Sequence, residues 1–296
     1  MKISVREFVS GADFDVTGVS YAGAPVSHTA IFLTNKVSHL LEKLETVSCC
    51  LVFAEEGMEV SESLRRCHAF AFCKSPQLDY ARFAVRLDRE RRREESKLRY
   101  RLTDGGYYIS ETAQVGENAY IEPGCLIGHS VKIGNDAQIL AGSIIKYATI
   151  GDDFLSNEGA VTGANGFNMA VDENGNKMRV PSLGGVRIGN HVEIGLNVNV
   201  ERGSGGDTVI EDYVKIDQLV CIGHDSHLSR NAEVTAAAVI GGFVTIGERG
   251  FVGLNAAIKN RTSVGDDALI GMGATVIRSV PAETTVAGNP AKPLAK

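Results

Sequence analysis

Few groups in this chain could do chemistry unaided. Its seven histidines are scattered, and His224 with His227 lacks further ligands at a spacing that would hold a metal ion. The six cysteines, Cys49, Cys50, Cys67, Cys73, Cys125 and Cys221, form no CxxC pair. They therefore read as small reduced core residues, neither a zinc site nor a disulfide framework. No serine or cysteine stands in a pattern that would activate it as a covalent nucleophile. What remains is proton transfer, since an imidazole titrates near 6.5 and a positioned histidine can take a proton from an amine at neutral pH.

The elements that must position such a group announce themselves by a repeat. An aliphatic residue recurs at every sixth position at Ile210, Ile216, Ile222, Leu228, Val234, Ile240, Ile246, Val252, Ile258, Val264, Ile270 and Val276. A second run in another phase holds Ile109, Val115, Ile121, Ile127, Ile133, Ile139 and Ile145, and a third holds Ile188, Ile194 and Val200. The changes of phase are expected to mark loops that leave the repeat. A period of six fits neither a helix nor simple strand alternation, but it suits a triangular coil of about 18 residues with one inward aliphatic residue per side. Glycine follows the aliphatic residue at Gly116, Gly128, Gly134, Gly189, Gly195, Gly223, Gly241 and beyond, where a chain that bends after each short strand needs an unhindered backbone. This accounts for 33 glycines in 296 residues that include no tryptophan.

Around the coil, residues 1–87 lack the repeat and read as a small α/β module, with an amphipathic helix near Asn35–Leu44 and a strand at Ser48–Phe53. The run from Asp88 to Leu102 is dense in Arg and Glu at helical spacings and reads as a solvated linker helix within 88–107. The coil is expected over 108–280, interrupted at 163–184 and 202–207, with a cap or tail at 281–296. Long loops on a repeat scaffold usually shape the binding face. A net charge of -6 argues against a nucleic-acid partner. The first residues lack a signal-peptide pattern and no apolar run is long enough to span a bilayer, so a cytoplasmic location is expected.

The hexapeptide pattern resembles that of the left-handed parallel β-helix acyltransferases. Within them, ANGFN and then MRVPSLGGVRIGNHVEIGLNVNVERGSGGDTVIEDYVKIDQLVCIGHD resemble the UDP-3-O-acylglucosamine N-acyltransferases of lipid A synthesis. The segment TAIFLTNKVSHLLEKLETVSCCLVFAEE followed by SPQLDYARF is similar to the uridine-contacting domain that precedes their coil. The resemblance implies a mainly β protein: a left-handed parallel β-helix preceded by a small α/β domain, assembled as a homotrimer with grooves between coils.

It further implies an enzyme that moves an acyl group from a thioester to the amine of a nucleotide-linked amino sugar, in lipid A or surface-glycan synthesis. His224 matches the family's general base, and Gly242, one coil later, matches the backbone donor that holds the oxyanion. Asp217 matches a family carboxylate near the active site, while Asp225 adjoins the base; either could orient the imidazole, with Asp217 favoured and Asp225 expected to be solvated. Phe32 and Asn35 match positions that stack on and hydrogen-bond to uracil, and Asn165, Gly166 and Phe167 match the loop near the sugar.

Three departures bear on the substrates. The second uracil-flanking aromatic is replaced by Ser38. The family's second active-site histidine falls at Arg261, a permanent cation that could meet a donor phosphate. The chain ends SVPAETTVAGNPAKPLAK, which looks like the ending of acetyl-CoA-dependent hexapeptide acetyltransferases, where Lys292 could pair with a phosphate of the cofactor. Pro281, Pro290 and Pro293 could equally serve only to stop the coil. No permanently bound cofactor is expected, and the co-substrate is an acyl-CoA or acyl carrier protein thioester. The alternatives are an acetyl-CoA-dependent sugar acetyltransferase and a non-catalytic β-helix scaffold.

Overall fold

The computed structural model describes residues 2–294. The chain divides into two compact units.

The first contains the chain up to Lys97 together with Phe167–Leu183 and Ser204–Gly206. Strands Gly18–Val19, Thr29–Leu33, Leu51–Glu55 and Ala69–Cys73 form a parallel sheet in chain order. Their apolar runs, such as AIFL and LVFA, bury both faces, as parallel strands require. The segment expected as an amphipathic helix is a 3-10 stretch, Asn35–Thr46, broken at Val37 by a φ of -126°. The helix Pro76–Glu95 opens on proline and covers one face of the sheet with Tyr80, Phe83, Ala84 and Leu87. It also takes up the first part of the expected linker. Asp88 is buried and paired with both Arg91 and Arg92, so the i,i+3 and i,i+4 charges stiffen this helix end. The 163–184 interruption is not structureless: Asn168–Val171 and Lys177–Val180 pair as an antiparallel hairpin, and Arg82 of the long helix grips Glu173 at 2.7 Å from both carboxylate oxygens.

The second unit is a three-sided parallel β-helix, with two sheets of ten strands and one of eight. Strands stack one coil apart, so that Cys221 and Ile222 pair with Val239 and Ile240, and these with Ala257 and Ile258. Every aliphatic residue of the long run from Ile210 to Val276 is buried. Four positions after each lies a second inward residue, typically small, which periodicity at the aliphatic position alone does not reveal: Val214, Val220, Ser226, Ala232, Ala238 and Val244 are all buried.

Two expectations about the coil need correction. The first phase change is not a loop alone. Ile133 pairs with Ile150, and Ile139 with Ser156, each 17 residues on where the coils between Ile210 and Val276 take 18. One side is shortened at Tyr147, whose φ of 51° turns the corner, and the repeat continues with Ser156 and Thr162 buried in aliphatic places. The hexad glycines are not the bending residues either. The left-handed corner conformation falls on Tyr213, Leu219, Asp225, Asn231, Ala237 and Phe243, with φ between 58° and 63°. Gly223 is needed for close approach instead: a Cβ there would lie 2.6 Å from the Gly242 nitrogen of the next coil.

Candidate active site at a corner of the coil

His224 follows the strand Cys221–Ile222 and the tight Gly223, at the entrance to a corner. Its backbone N–H donates to Glu201 Oε2 at 3.1 Å, and its carbonyl accepts from Phe243 N at 2.9 Å. Asp225, the left-handed corner residue, donates its own N–H to Thr208 Oγ1 at 2.8 Å and lays carboxylate Oδ2 2.7 Å from His224 Nδ1. Both side chains are mostly buried, 12% and 4% exposed, which keeps water from competing for the bond. A carboxylate can only accept, so Nδ1 carries the hydrogen and Nε2 of the neutral ring presents a lone pair. Among the described residues, Nε2 makes no hydrogen bond within the protein.

That nitrogen faces glycine on the next coil. A Cβ added to Gly242 would lie 2.8 Å from both Nε2 and Cε1, and one added to Gly166 would lie 2.8 Å from Cδ2. Alanine at either place would strike the ring. The equivalent backbone N–H groups of Arg230, Ala236 and Glu248 donate to carboxylate oxygens, whereas that of Gly242 has no acceptor among the described residues. Among the described residues, an imidazole nitrogen without a hydrogen bond thus faces the glycine whose backbone N–H has no acceptor. Above them Phe243 meets the imidazole edge-on, at 5.3 Å and 88°, and the Arg261 guanidinium lies 4.2 Å over the Phe243 ring.

The other sequence-derived residues fall as follows. Asp217 is exposed at the preceding corner, where its two oxygens accept from Gln218 N at 2.7 Å and Ala236 N at 3.1 Å. It caps that corner, and the partner of the imidazole is Asp225, which is not solvated as expected. The reason is the corner itself, since the left-handed φ of 59° at Asp225 accompanies a carboxylate turned onto the neighbouring ring. Asn165 is exposed and accepts from Arg202 Nη2 at 2.8 Å, next to Gly166 at the ring. Arg261 is exposed, and Lys292 is exposed on the short strand Lys292–Pro293, which pairs antiparallel with Val286–Ala287.

In the first unit, Phe32 is half-buried and meets Tyr80 at 5.1 Å, tilted by 53°. Asn35 begins the 3-10 stretch, with its N–H donating to Glu55 Oε2 at 2.6 Å. Phe167 is 73% exposed, with the Arg179 guanidinium 5.1 Å over its ring. Sequence reasoning missed Glu201, Phe243 and the buried Arg202. The first two sit one coil from His224, so the period could have located them; for Arg202 no signal in the sequence sets it apart.

Comparisons with known proteins bear on the repeat and the fold. The family model described as bacterial transferase hexapeptide (six repeats) matches residues 112–147. A UDP-3-O-acylglucosamine N-acyltransferase of Bordetella pertussis is 31% identical over 247 residues, 72% of this chain and 64% of the relative. A probable mitochondrial UDP-3-O-acylglucosamine N-acyltransferase 2 of Arabidopsis thaliana is 37% identical over 150 residues, 51% of this chain and 49% of the relative. The chain thus spans about half to two thirds of the length of these curated relatives. Among solved structures, LpxA from Acinetobacter baumannii superposes with a TM-score of 0.59 at 22% identity, covering 66% of this chain and 74% of the other. The chain is therefore a hexapeptide-repeat protein with a left-handed parallel β-helix, similar in sequence to the UDP-3-O-acylglucosamine N-acyltransferases.

Proposed function

We propose that the protein is an N-acyltransferase that moves an acyl group from a thioester to the free amine of a nucleotide-linked amino sugar. The observation that carries this is that, among the described residues, Nε2 of His224 has no hydrogen bond and faces Gly242, whose N–H has no acceptor. The amine nitrogen attacks the thioester carbonyl carbon while Nε2 takes its proton. The carbonyl oxygen becomes an oxyanion against the Gly242 N–H, and collapse expels the thiolate, which recovers the proton from the imidazolium. The Nδ1–H to Asp225 bond keeps the ring in the tautomer needed and stabilises its protonated form. No covalent enzyme intermediate is needed.

The names of the relatives support a UDP-linked 3-O-acylglucosamine acceptor and a place in lipid A synthesis. Phe32, Asn35, Asn165, Gly166 and Phe167 are the acceptor-side candidates, and Arg261 and Lys292 the donor-side ones. The working assembly is a homotrimer in the cytoplasm. Within one chain Asp217 serves its own corner, so a part in catalysis would require a neighbouring subunit. Among the described residues no helix is long and apolar enough to cross a membrane.

One observation favours a CoA-dependent variant of the reaction. Arg278 and Lys292, with Ile277, Pro290 and Pro293, line a cavity of about 420 Å³ at the end of the coil, a mixture of cation and apolar wall suited to a phosphorylated, partly apolar carrier arm. Offering UDP-3-O-acylglucosamine with acetyl-CoA, 3-hydroxyacyl-CoA and 3-hydroxyacyl carrier protein, and weighing the products by mass spectrometry, tests both. Turnover with the carrier-protein thioester alone removes the CoA variant; N-acylation from none of the three overturns the acyltransferase.

A further inference from the structure

Among the described residues Arg202 is the largest fully buried side chain, at 1% exposure, although it opens the polar RGSGGD segment. Sinking a guanidinium is expensive, so its surroundings must make specific use of it. Its plane lies 3.9 Å over the Tyr147 ring, at the shortened corner of the coil. Its backbone N–H donates to Ala164 O at 2.9 Å and its Nη2 to Asn165 Oδ1 at 2.8 Å, so backbone and side chain each hold one of two consecutive residues. The next residue, Gly166, abuts the His224 ring.

A guanidinium has donors only. The Asn165 atom that faces Arg202 must therefore be the carbonyl oxygen, and this amide, unlike most, has its orientation fixed by chemistry. Its –NH2 group is left on the exposed side, with no hydrogen bond among the described residues. We infer that Arg202 is a positioning residue that locks Asn165 to present a hydrogen-bond donor one residue from the segment touching the base, and that the group read there is an oxygen acceptor of the sugar substrate. This deepens the acyl-transfer reading and rests on it for the identity of the sugar.

The decisive variant is Asn165→Asp. A carboxylate keeps the bond to Arg202, so the fold is retained, but it turns an oxygen outward where the –NH2 had been. Binding of UDP-3-O-acylglucosamine, measured by calorimetry without any donor, is expected to weaken by about tenfold or more, with the unfolding midpoint unchanged. In turnover the KM for the sugar rises while that for the thioester holds. Arg202→Lys, which keeps the charge but loses the planar fork, is expected to weaken sugar binding less, and Asn165→Ser, which restores a short donor, to recover part of the loss. Equal affinity of wild type and Asn165→Asp, or no binding of the sugar to the wild type, overturns the inference. Loss of affinity in Asn165→Asp while the wild type transfers no acyl group from any thioester would leave the donor in place and overturn the acyltransferase instead.

Discussion

The His224 corner of the coil and the Phe32–Asn35 stretch of the α/β unit are both marked as functional by the family resemblance, and the structure treats them differently. In the coil, the neighbours of His224 come from adjacent turns at fixed sequence distance, and the ring is held by one carboxylate with a nitrogen to spare. In the α/β unit, Phe32 is engaged by its own unit, packed on Tyr80 beside the core that the long helix closes. A repeat lets chemistry sit on a frame that does not depend on it, because the inward positions carry the stability and the corners carry the polar groups. In a conventional sheet, one aromatic residue has to serve packing and recognition together.

This contrast is broken most directly at the base. His224→Ala is expected to lower kcat/KM by on the order of 10³-fold while the unfolding midpoint moves by no more than a few degrees, read by steady-state rates and thermal melting. A variant with normal rates removes the imidazole from the mechanism. The two carboxylates sharpen the same point. Asp225→Asn should cost on the order of 10²-fold in kcat with little change in KM, since the amide no longer favours the tautomer or the protonated ring, whereas Asp217→Asn should stay within about threefold. A reversed order would transfer the orienting role to Asp217.

In the α/β unit the opposite coupling is expected. Phe32→Ala should cost about 2 kcal/mol by denaturant unfolding, less than for a fully buried ring, together with any loss of sugar affinity. An affinity loss with unchanged stability would free Phe32 from the core. The smallest effect concerns Cys50 of the same unit. Burial pushes its thiol up to about 11, against 9.0 unperturbed. The unfolded chain ionises first, so this thiol favours the folded state below pH 9, and stability should drain away as pH climbs from about 9 to 11. The slope of unfolding free energy over that interval should shrink in Cys50→Ala.

The fold was legible because one aliphatic residue in six has no rival explanation, and all twelve positions from Ile210 to Val276 are buried. What escaped has physical causes. Ser156 and Thr162 occupy aliphatic places as polar residues, so the pattern seemed to stop where only one corner was a residue short. The glycines advertised a bend, but what they relieve is crowding between turns, while residues as bulky as Leu219 and Phe243 accept the left-handed corner. Sequence adjacency of His224 and Asp225 said little by itself, since the backbone conformation of the second decides where its carboxylate goes. Arg202 stayed hidden because a basic residue beside glycines reads as solvent-facing, and only burial against Tyr147 reveals it.

The spacing of Cys221 and Val239 by one full circuit makes the column a ruler. Excising a whole circuit would shorten the molecule yet leave every surviving side in line with the one below. Excising a third of a circuit between His224 and Gly242 would carry the glycine round to another flank and part it from the ring. The lost residue at Tyr147 marks the tolerance of this ruler: a single notch is absorbed where the chain turns, and the scale resumes. Lineages that lengthen or trim this protein should therefore do so in complete circuits, or at corners.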